Sequence, residues 1–511
     1  MGSSGGTDPT GIAIDSAGNI YTANSGGSDT VGKLLAAGGS APAPWPVSVG
    51  LQPRRVVVDD GGNVFAMNTV AGTVSKVTAA GTAAGGAWPA STGGSPQDMA
   101  IDDAGSLYTV NSAGNSVTKI APGGGASEFA RTGAGSTPFG IALDQDGNVY
   151  TANYGSGSIS KFTPSGVLAG SPWPVSLGAG LNPYAVAVDS ADNAFVVNWN
   201  ANNLVKVTAA GALAGSPWPV PVGNSPRSLV MDSAGNVFVV GLSGTLVKIT
   251  PEGAAYTLAS GLNGPVDITI DSLGNLYTAN QYGNSVSKIT SNAGEVAPAP
   301  PRRPAAPVAA PGQASATLTI FANPADRRFG VPTSYAISAV GDSSKACTVT
   351  PPATSCEVTG LSNGTAYTFV ARAKLNQWQT GASAASAPVT PSATDAAATI
   401  TVANLRARVT KKTAYITSRV TVSRAGRVAQ IATSSRTTGK GKKRKTVTTT
   451  RCRVSKAATA AGAFTLRCNL GPTGRKAIRA GALRLRVTTT LTPSSGVEAR
   501  ATRAITVKRT R

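Results

Sequence analysis

The sequence predicts an all-β protein, and three features of the chain support that fold class. Sixty Gly and 33 Pro, with only 13% charged residues, favour short strands joined by tight turns. Apolar and polar residues alternate with period two in many segments, as half-buried strands require. A segment of 39 to 45 residues also recurs through the first 290 positions. Because 511 residues exceed the size of one domain, we expect several cores.

Each repeat is marked by a proline that stands six residues before an aspartate. The aspartate opens a turn in segments such as IAIDSAGNIYTAN and IALDQDGNVYTAN, where Asp caps the turn and Gly takes the left-handed position. A third strand with a lysine and a fourth segment, usually with an aromatic residue, follow. Four short strands in each of seven repeats predict a seven-bladed β-propeller. The prolines are Pro9, Pro53, Pro96, Pro138, Pro183, Pro226 and Pro265.

Recurrence itself assigns most repeat residues to the architecture. A lysine at the same place in seven copies is expected to pack its stem between blades, rather than to form a functional ring. The recurring aromatic residue likewise indicates a core contact. Since about six residues precede the first repeat, too few for a full closing strand, we expect a three-stranded or imperfect last blade.

The pattern P-x5-D-x-x-G-N-[ILV]-[YF]-x-x-N, followed by [ILV]-x-K-[IVF]-[TA], resembles the NHL-repeat propellers and the related virginiamycin B lyase-like propellers. We assign residues 1–292 to this propeller. Resemblance to the lyase implies a catalytic histidine and a magnesium site, whereas this sequence contains no histidine. That absence removes imidazole acid–base catalysis and His-activated nucleophiles. We therefore expect no catalytic residue, no cofactor and no metal, although enzymatic activity stays open.

Candidates for a propeller ligand site are the loop positions that differ between repeats, because repeat-invariant positions serve the fold. Aromatic residues of repeats four and five are expected to form one patch for sugar rings or peptide side chains. Scattered surface aromatics are the alternative interpretation. The candidate ligand-binding residues are Arg54, Gln97, Phe139, Tyr154, Tyr184, Trp199, Arg227 and Tyr282.

Two further modules are expected between the propeller and the C-terminal part. Residues 293–311 form a Pro-rich linker, interpreted as a stiff extended spacer. Residues 312–392 alternate as a sandwich and, in the stretch GLSNGTAYTFVARAKLNQWQTGASAASAPVTP, resemble a fibronectin type III domain. Tyr367 occupies the place of that family's tyrosine-corner residue.

Residues 393–511 are predicted to form a small basic β-sandwich, with 27 basic and 2 acidic side chains. Its charge predicts attraction to a polyanion, which we expect to be anionic cell-envelope polymer or polysaccharide. Few aromatics disfavour single-stranded nucleic acid as a partner. A solvated loop is the alternative for the densest basic run, a predicted hairpin tip. The run consists of Lys440, Lys442, Lys443, Arg444 and Lys445.

The four cysteines indicate the compartment. Their spacing predicts hairpin disulfides between Cys347 and Cys356 and between Cys452 and Cys468, and hence an extracellular or cell-surface location. Four reduced core thiols are the alternative. No apolar run approaches the ~18 residues that span a membrane. The start, MGSSGGTDPTG, lacks the features of a secretory signal, so we expect that a leader was removed or the start is truncated.

Two function classes are compatible with these features. One is a secreted or cell-surface binding or scaffold protein, whose propeller binds a glycan, peptide or protein. The other is a secreted carbohydrate-active or virginiamycin B lyase-like enzyme. The missing histidine, and the lack of any carboxylate pair that stands out from the repeat, favour the first class.

Overall fold

A computed structural model describes residues 7–290, 295–321, 326–392, 398–410, 413–423, 425–438, 445–493 and 498–508. The chain forms two compact units, residues 1–391 and 392–511. Within the described residues, the first unit contains seven propeller blades followed by a two-sheet sandwich, and the second contains another two-sheet sandwich.

Each blade is an antiparallel sheet whose strands follow one another in chain order. Blades one to three contain β1 (Pro9–Ile14), β2 (Ile20–Asn24), β3 (Thr30–Leu34), β4 (Val47–Ser48), β5 (Pro53–Val58), β6 (Val64–Asn68), β7 (Thr73–Val77), β8 (Ala90–Ser91), β9 (Pro96–Ile101), β10 (Leu107–Asn111), β11 (Ser116–Ile120) and β12 (Ala126–Arg131). Blades four and five contain β13 (Pro138–Leu143), β14 (Val149–Asn153), β15 (Ser158–Phe162), β16 (Val175–Ser176), β17 (Pro183–Val188), β18 (Ala194–Asn198), β19 (Asn203–Val207) and β20 (Val220–Pro221). Blades six and seven contain β21 (Pro226–Met231), β22 (Val237–Gly241), β23 (Leu246–Ile249), β24 (Ala255–Ala259), β25 (Pro265–Ile270), β26 (Leu276–Asn280) and β27 (Ser285–Ile289).

The first strand of each blade lines the channel, and the first strands of neighbouring blades pack side by side. The ring closes where β1 packs on β25 and β26 of the seventh blade. Hydrogen bonds cross this closure from Ile12 N to Asp267 Oδ2 (2.9 Å) and from Asp8 N to Asn284 Oδ1 (2.7 Å). In the described residues the seventh blade has three strands.

The turn and lysine patterns of the repeat stabilise the blades as the sequence predicts. In the first blade, Asp15 Oδ1 accepts hydrogen bonds from the backbone N–H groups of Ala17 and Asn19. The ammonium of Lys33 lies 5.1 Å from the ring centre of Tyr21 and 5.4 Å from that of Trp45. These contacts are cation–π interactions, which recur for five further blade lysines, so this residue serves the fold.

The module after the linker is a sandwich of a three-stranded sheet, in the order β28-β29-β32, and a four-stranded sheet, in the order β31-β30-β33-β34. Tyr367 accepts a hydrogen bond at its hydroxyl from the backbone N–H of Ser362 (3.1 Å), the geometry of a tyrosine corner. Its strands are β28 (Val308–Pro311), β29 (Ser315–Thr319), β30 (Ser334–Ala339), β31 (Asp342–Val349), β32 (Ser355–Thr359), β33 (Phe369–Leu375) and β34 (Trp378–Gln379).

The Pro-rich segment does not act as a spacer in the structure. Its described residues begin at Glu295, and they pack against the propeller end that carries the Asp-opened turns. Ala299 N donates to Asp271 O (3.1 Å), and Ser233 N donates to Pro298 O (2.9 Å). The expectation of a stiff, projecting linker was therefore wrong for residues 296–303. The apolar side chains of Val296 and Ala299 are buried against blades six and seven. Burial of this apolar surface stabilises the docked segment.

The C-terminal unit is a sandwich of sheets β35-β36-β39 and β38-β37-β40-β41. One helix interrupts the predicted all-β pattern. It begins with Gly471 and Pro472, and it places Gly474 and Ile478 on one buried face. The elements are β35 (Ile400–Val409), β36 (Ala414–Val422), β37 (Gly426–Thr438), β38 (Lys445–Ala458), β39 (Gly462–Asn469), α1 (Gly471–Arg479), β40 (Leu483–Thr492) and β41 (Ala499–Val507).

The two predicted disulfides are present, but neither closes a hairpin. Cys347 on β31 and Cys356 on β32 lie in different sheets of the first sandwich, with Cα atoms 6.0 Å apart. Cys452 on β38 and Cys468 on β39 likewise join the two sheets of the second sandwich, at 5.8 Å. Spacing along the chain predicts the partners correctly, whereas the sheet to which each strand belongs depends on the tertiary fold.

Candidate functional site

One end of the propeller channel is surrounded by the residue that follows each blade proline; we call this ring the near mouth. In all seven blades, the pairing register of the first strand shifts at this residue, so that it lies in a β-bulge without a partner. A bulge re-aims a side chain away from the sheet pattern. The ring consists of Thr10, Arg54, Gln97, Phe139, Tyr184, Arg227 and Val266.

Two arginines of the near mouth meet at one tyrosine. Arg54 Nη2, from blade two, donates to the hydroxyl of Tyr184 in blade five. Arg227 Nη1, from blade six, donates to the same oxygen (2.6 Å). Arg54 Nη1 also donates to Gln97 Oε1 (2.7 Å). The contact from Arg54 to Tyr184 reaches across the ring, from blade two to blade five, whereas the other two contacts join neighbouring blades.

An aromatic wall, made of Phe139, Tyr154 and Trp199, borders the two arginines. Phe139 stacks on Tyr154 with ring centres 4.7 Å apart and planes inclined by 30°. Trp199 lies 6.4 Å from Tyr154. The guanidinium of Arg54 lies 5.7 Å from the ring centre of Phe139, and that of Arg227 lies 5.7 Å from Trp199. The wall is half-buried, so part of it faces the solvent.

A charged layer, made of Arg55, Asp98 and Asp267, lies one residue further along the first strands. Arg55 Nε contacts Asp98 Oδ1 at 2.8 Å, and Arg55 Nη1 pairs with Asp267. The carboxylates also accept backbone N–H groups of other blades, from Ile141 to Asp98 (3.2 Å) and from Ile12 to Asp267 (2.9 Å). The layer thus ties blades two, three and seven together beneath the near mouth.

Burial and neighbouring opposite charges shift the pKa values of this layer in opposite directions. Burial works to lower the pKa of Arg55, but the charges of Asp267 and Asp98 outweigh it, so the pKa of Arg55 lies above its usual range. For Asp98, burial and the neighbouring charge of Asp267 outweigh Arg55 and the backbone donors, which raises the pKa of Asp98. One guanidinium faces two carboxylates, so one carboxylate gains a proton more readily than usual.

The opposite end of the channel, which we call the far mouth, is covered by a cap formed by residues 296–303, 326–330 and 376–381. Arg302 and Arg328 both pair with Asp60, the latter at 2.7 Å. Trp378 N donates to Ser233 O (3.1 Å). Two further ion pairs join Arg303 to Asp103 (3.5 Å) and Arg327 to Asp271 (3.1 Å).

A cavity of about 1040 Å³ lies in the channel on the cap side. Its walls include apolar residues of the first strands, such as Val57, Ala142 and Val230, together with Phe329 and Trp378 of the cap. Neither the paired arginines of the near mouth nor the aromatic wall lines it. The candidate binding residues and the cavity are therefore separate features of the channel.

The structure brings seven of the eight sequence-predicted propeller residues into one contact network. The exception is Tyr282, which is 62% exposed and packs beside Gly264, apart from the aromatic wall. Sequence reasoning missed the role of Arg55. The sequence does contain an indication of it, because the repeat position of Arg55 is occupied by Asp98 and Asp267 in two other blades. Equivalent repeat positions face one another around a ring, so opposite charges at such positions can pair.

Of the predicted basic run, Lys440, Lys442, Lys443 and Arg444 lie outside the described residues, and Lys445 begins β38. The described basic side chains of the second unit instead cover the outer faces of both sheets. Arg406 and Arg467 flank Thr417 in one row of the first sheet. The exposed arginines are Arg406, Arg408, Arg419 and Arg467 on that sheet and Arg427, Arg436, Arg453, Arg484, Arg486, Arg500 and Arg503 on the other.

Across the described ranges, no group of three or more His, Cys, Asp or Glu side chains could hold a metal ion. No helix in this part of the chain is long and apolar enough to cross a membrane.

Fold and site together define a seven-bladed β-propeller with an arginine- and aromatic-rich near mouth. Residues 3–249 match the family model described as the virginiamycin B lyase family. The resemblance expected from the repeats is thereby confirmed for this part of the chain, whereas the fibronectin type III likeness of residues 312–392 stays a prediction. No curated protein matches the sequence.

Two solved structures are similar to part of the chain. A streptogramin B lyase is 18% identical with a TM-score of 0.48, over 57% of this chain and 95% of that protein. A catalytically inactive histidine-to-alanine variant of virginiamycin B lyase from Staphylococcus aureus, with quinupristin, is 16% identical with a TM-score of 0.50, over 56% of this chain and 96% of that protein. At this identity the likeness concerns the fold.

Proposed function

We propose that this chain is a secreted or cell-surface binding protein whose propeller binds its ligand at the near mouth. The observation that carries the proposal is the convergence of Arg54, Tyr184 and Arg227 with an aromatic wall, all at positions that differ between repeats. Fold stability does not require different residues at equivalent blade positions, so a partner is the simplest reason for them. Two disulfides suit an oxidising compartment.

Lyase chemistry is the function that the family resemblance suggests. The solved relative named above is inactive when one histidine is alanine, and this sequence has no histidine. We therefore propose binding without streptogramin cleavage. The check is to incubate the full chain with a streptogramin B and follow ring opening by mass spectrometry; turnover would refute the binding-only proposal.

The propeller site is tested with the full chain on arrays of glycans and peptides. Replacing Tyr154→Ala together with Trp199→Ala is expected to abolish the binding of array ligands, because the wall loses both rings. The matched control replaces two exposed aromatics elsewhere, Tyr256→Ala and Phe321→Ala, which are 58% and 63% exposed. Binding that survives the first pair of substitutions would place the site elsewhere.

We further propose that the basic C-terminal unit attaches the protein to anionic envelope polymer. Both outer sheet faces carry exposed arginines, and Glu498 is the acidic residue described in this unit. Exposed charges are screened over ~8 Å at physiological ionic strength, so attachment should weaken steeply as salt rises. Retention of the full chain on polyuronate or teichoic acid resin, eluted by a salt gradient, measures this; salt-independent retention would contradict it.

A further inference from the structure

The arginines of the near mouth lack a counter-charge. Neither Arg54 nor Arg227 has a carboxylate within 4 Å among the described residues, whereas Arg55 next in the chain pairs with two. Their partners are the neutral oxygens of Gln97 and Tyr184. Two positive charges therefore share one half-buried place with no carboxylate in contact among the described residues, an arrangement that costs free energy unless an anion joins it.

The unused hydrogen-bonding groups of Tyr184, Trp199 and Arg227 are donors. The Tyr184 oxygen accepts from both arginines, which leaves its own O–H to donate. The amide nitrogen of Gln97 is already engaged with Ser95 O (3.2 Å) and the Ser112 hydroxyl (3.0 Å). Arg227 Nε and Trp199 Nε1 are enclosed without a partner among the described atoms. A group rich in acceptors, such as a carboxylate, is complementary to this set.

The aromatic wall indicates what kind of molecule would carry the carboxylate. Stacked Phe139 and Tyr154, with Trp199 beside them, present ring faces next to the guanidinium groups. Ring faces of this kind pack against the C–H faces of a sugar ring. An acidic sugar supplies both features, a flat apolar face and an attached carboxylate.

We propose that the near mouth binds an acidic saccharide, with the carboxylate held by Arg54 and Arg227 and the sugar ring against the aromatic wall. This inference rests on the proposed binding function and names its ligand class. A charge-assisted hydrogen bond is stronger than a neutral one, so a uronate should bind about ten- to a hundredfold more tightly than its neutral counterpart.

The experiment uses the full chain and isothermal titration with three short probes: digalacturonate, neutral digalactose and a diglutamate peptide. Short probes limit the many-point attachment that a polymer would make with the basic unit. Arg54→Gln and Arg227→Gln are each expected to lower digalacturonate affinity about tenfold or more and to leave digalactose unchanged. Thermal unfolding of each variant checks its fold, and Arg54→Lys with Arg227→Lys supplies a second pair that keeps the charge.

Arg406→Gln with Arg408→Gln is the matched control, because it removes two charges from the C-terminal sheet. A loss equal to that of Arg54→Gln with Arg227→Gln would indicate general attraction and overturn the inference. Equal affinity of the parent chain for digalacturonate and digalactose, or no digalacturonate binding, would overturn it too. Tighter binding of the peptide would overturn the saccharide assignment.

Failure of this inference is distinguishable from failure of the proposed function. If Tyr154→Ala with Trp199→Ala abolishes binding while the arginine variants bind normally, the near mouth binds ligands without an anion subsite. If neither set of variants affects any binding, both the anion subsite and the near-mouth function are wrong.

Discussion

Arginines cluster at both ends of the propeller channel, but their bonding partners differ between the two ends. At the far mouth, Arg302 and Arg328 of the cap meet Asp60 of a blade turn. At the near mouth, Arg54 and Arg227 meet a neutral tyrosine oxygen. Paired charges join one part of the chain to another, whereas uncompensated charges stay available to a partner. The ionic state of an arginine's neighbours, rather than its presence at a channel end, is what distinguishes the two ends.

Neighbouring residues show the same contrast on a smaller scale. Arg54 and Arg55 are adjacent in β5, yet the bulge turns the first into the near mouth and leaves the second in the charged layer. Arg55 is satisfied by two buried carboxylates, and Arg54 by uncharged acceptors. The bulge, which shifts the register by one residue, is what assigns them to different surroundings.

The largest expected effect is on protein stability, and it compares substitutions of the adjacent residues Arg54 and Arg55 in β5. Arg55→Met should lower the free energy of unfolding by about 3–5 kcal/mol, because it leaves Asp98 and Asp267 buried without their cation. Arg54→Met should cost no more than about 1 kcal/mol, since the hydrogen bonds it loses are to neutral groups and the repulsion between Arg54 and Arg227 is relieved. Urea denaturation of both variants measures the difference. Similar losses would show that the two arginines are not distinguished by their partners.

A smaller effect concerns the cap. Asp60→Asn removes the common partner of Arg302 and Arg328, and because Asp60 is 51% exposed the expected cost is about 1 kcal/mol. The cap should then open several times more often, which limited proteolysis between residues 296 and 311 would detect. Asp146→Asn, on the same rim without a described ion pair to the cap, is the control. Equal cleavage in both variants would show that ion pairing does not hold the cap.

The last expected effect is a pH dependence of opposite sign at the two ends. Burial works to raise the pKa of Asp60, but hydrogen bonds from Arg302 and Arg328 outweigh it and lower the pKa below the ordinary value of 3.8. The cap contribution of Asp60 is therefore present above pH 3.8 and is lost as the pH falls through the depressed pKa. For Asp98 the pKa is raised, so its contribution to stability decreases as the pH rises from 3.8 through the raised value.

Unfolding measured against pH in the parent and in Asp98→Asn isolates that second contribution. The parent should lose stability relative to the variant across this interval, because protonated Asp98 is favoured in the folded state. A parent that gains stability relative to the variant as the pH rises would show that pairing with Arg55 dominates over burial at Asp98.

Much of the fold and part of the candidate site could be predicted from particular residues. The prolines and aspartates of the repeat predict seven blades because turn chemistry is local. Departures from the repeat at Arg54, Tyr184 and Arg227 indicate a site because equivalent positions in a ring face one axis. The docking of residues 296–303 could not be predicted, since a Pro-rich composition describes local conformation and not the surface on which a segment comes to lie.

By itself, the sequence determined the elements that depend on near neighbours: strands, Asp-opened turns, the blade count and the choice of cysteine partners. The tertiary structure alone decided which distant groups meet. The balance of Arg55 against Asp98 and Asp267, the unpaired state of Arg54 and Arg227, and the joining of two sheets by each disulfide all depend on contacts between strands far apart in the chain. Electrostatic energies depend on distance and burial in space, which position along the chain does not specify.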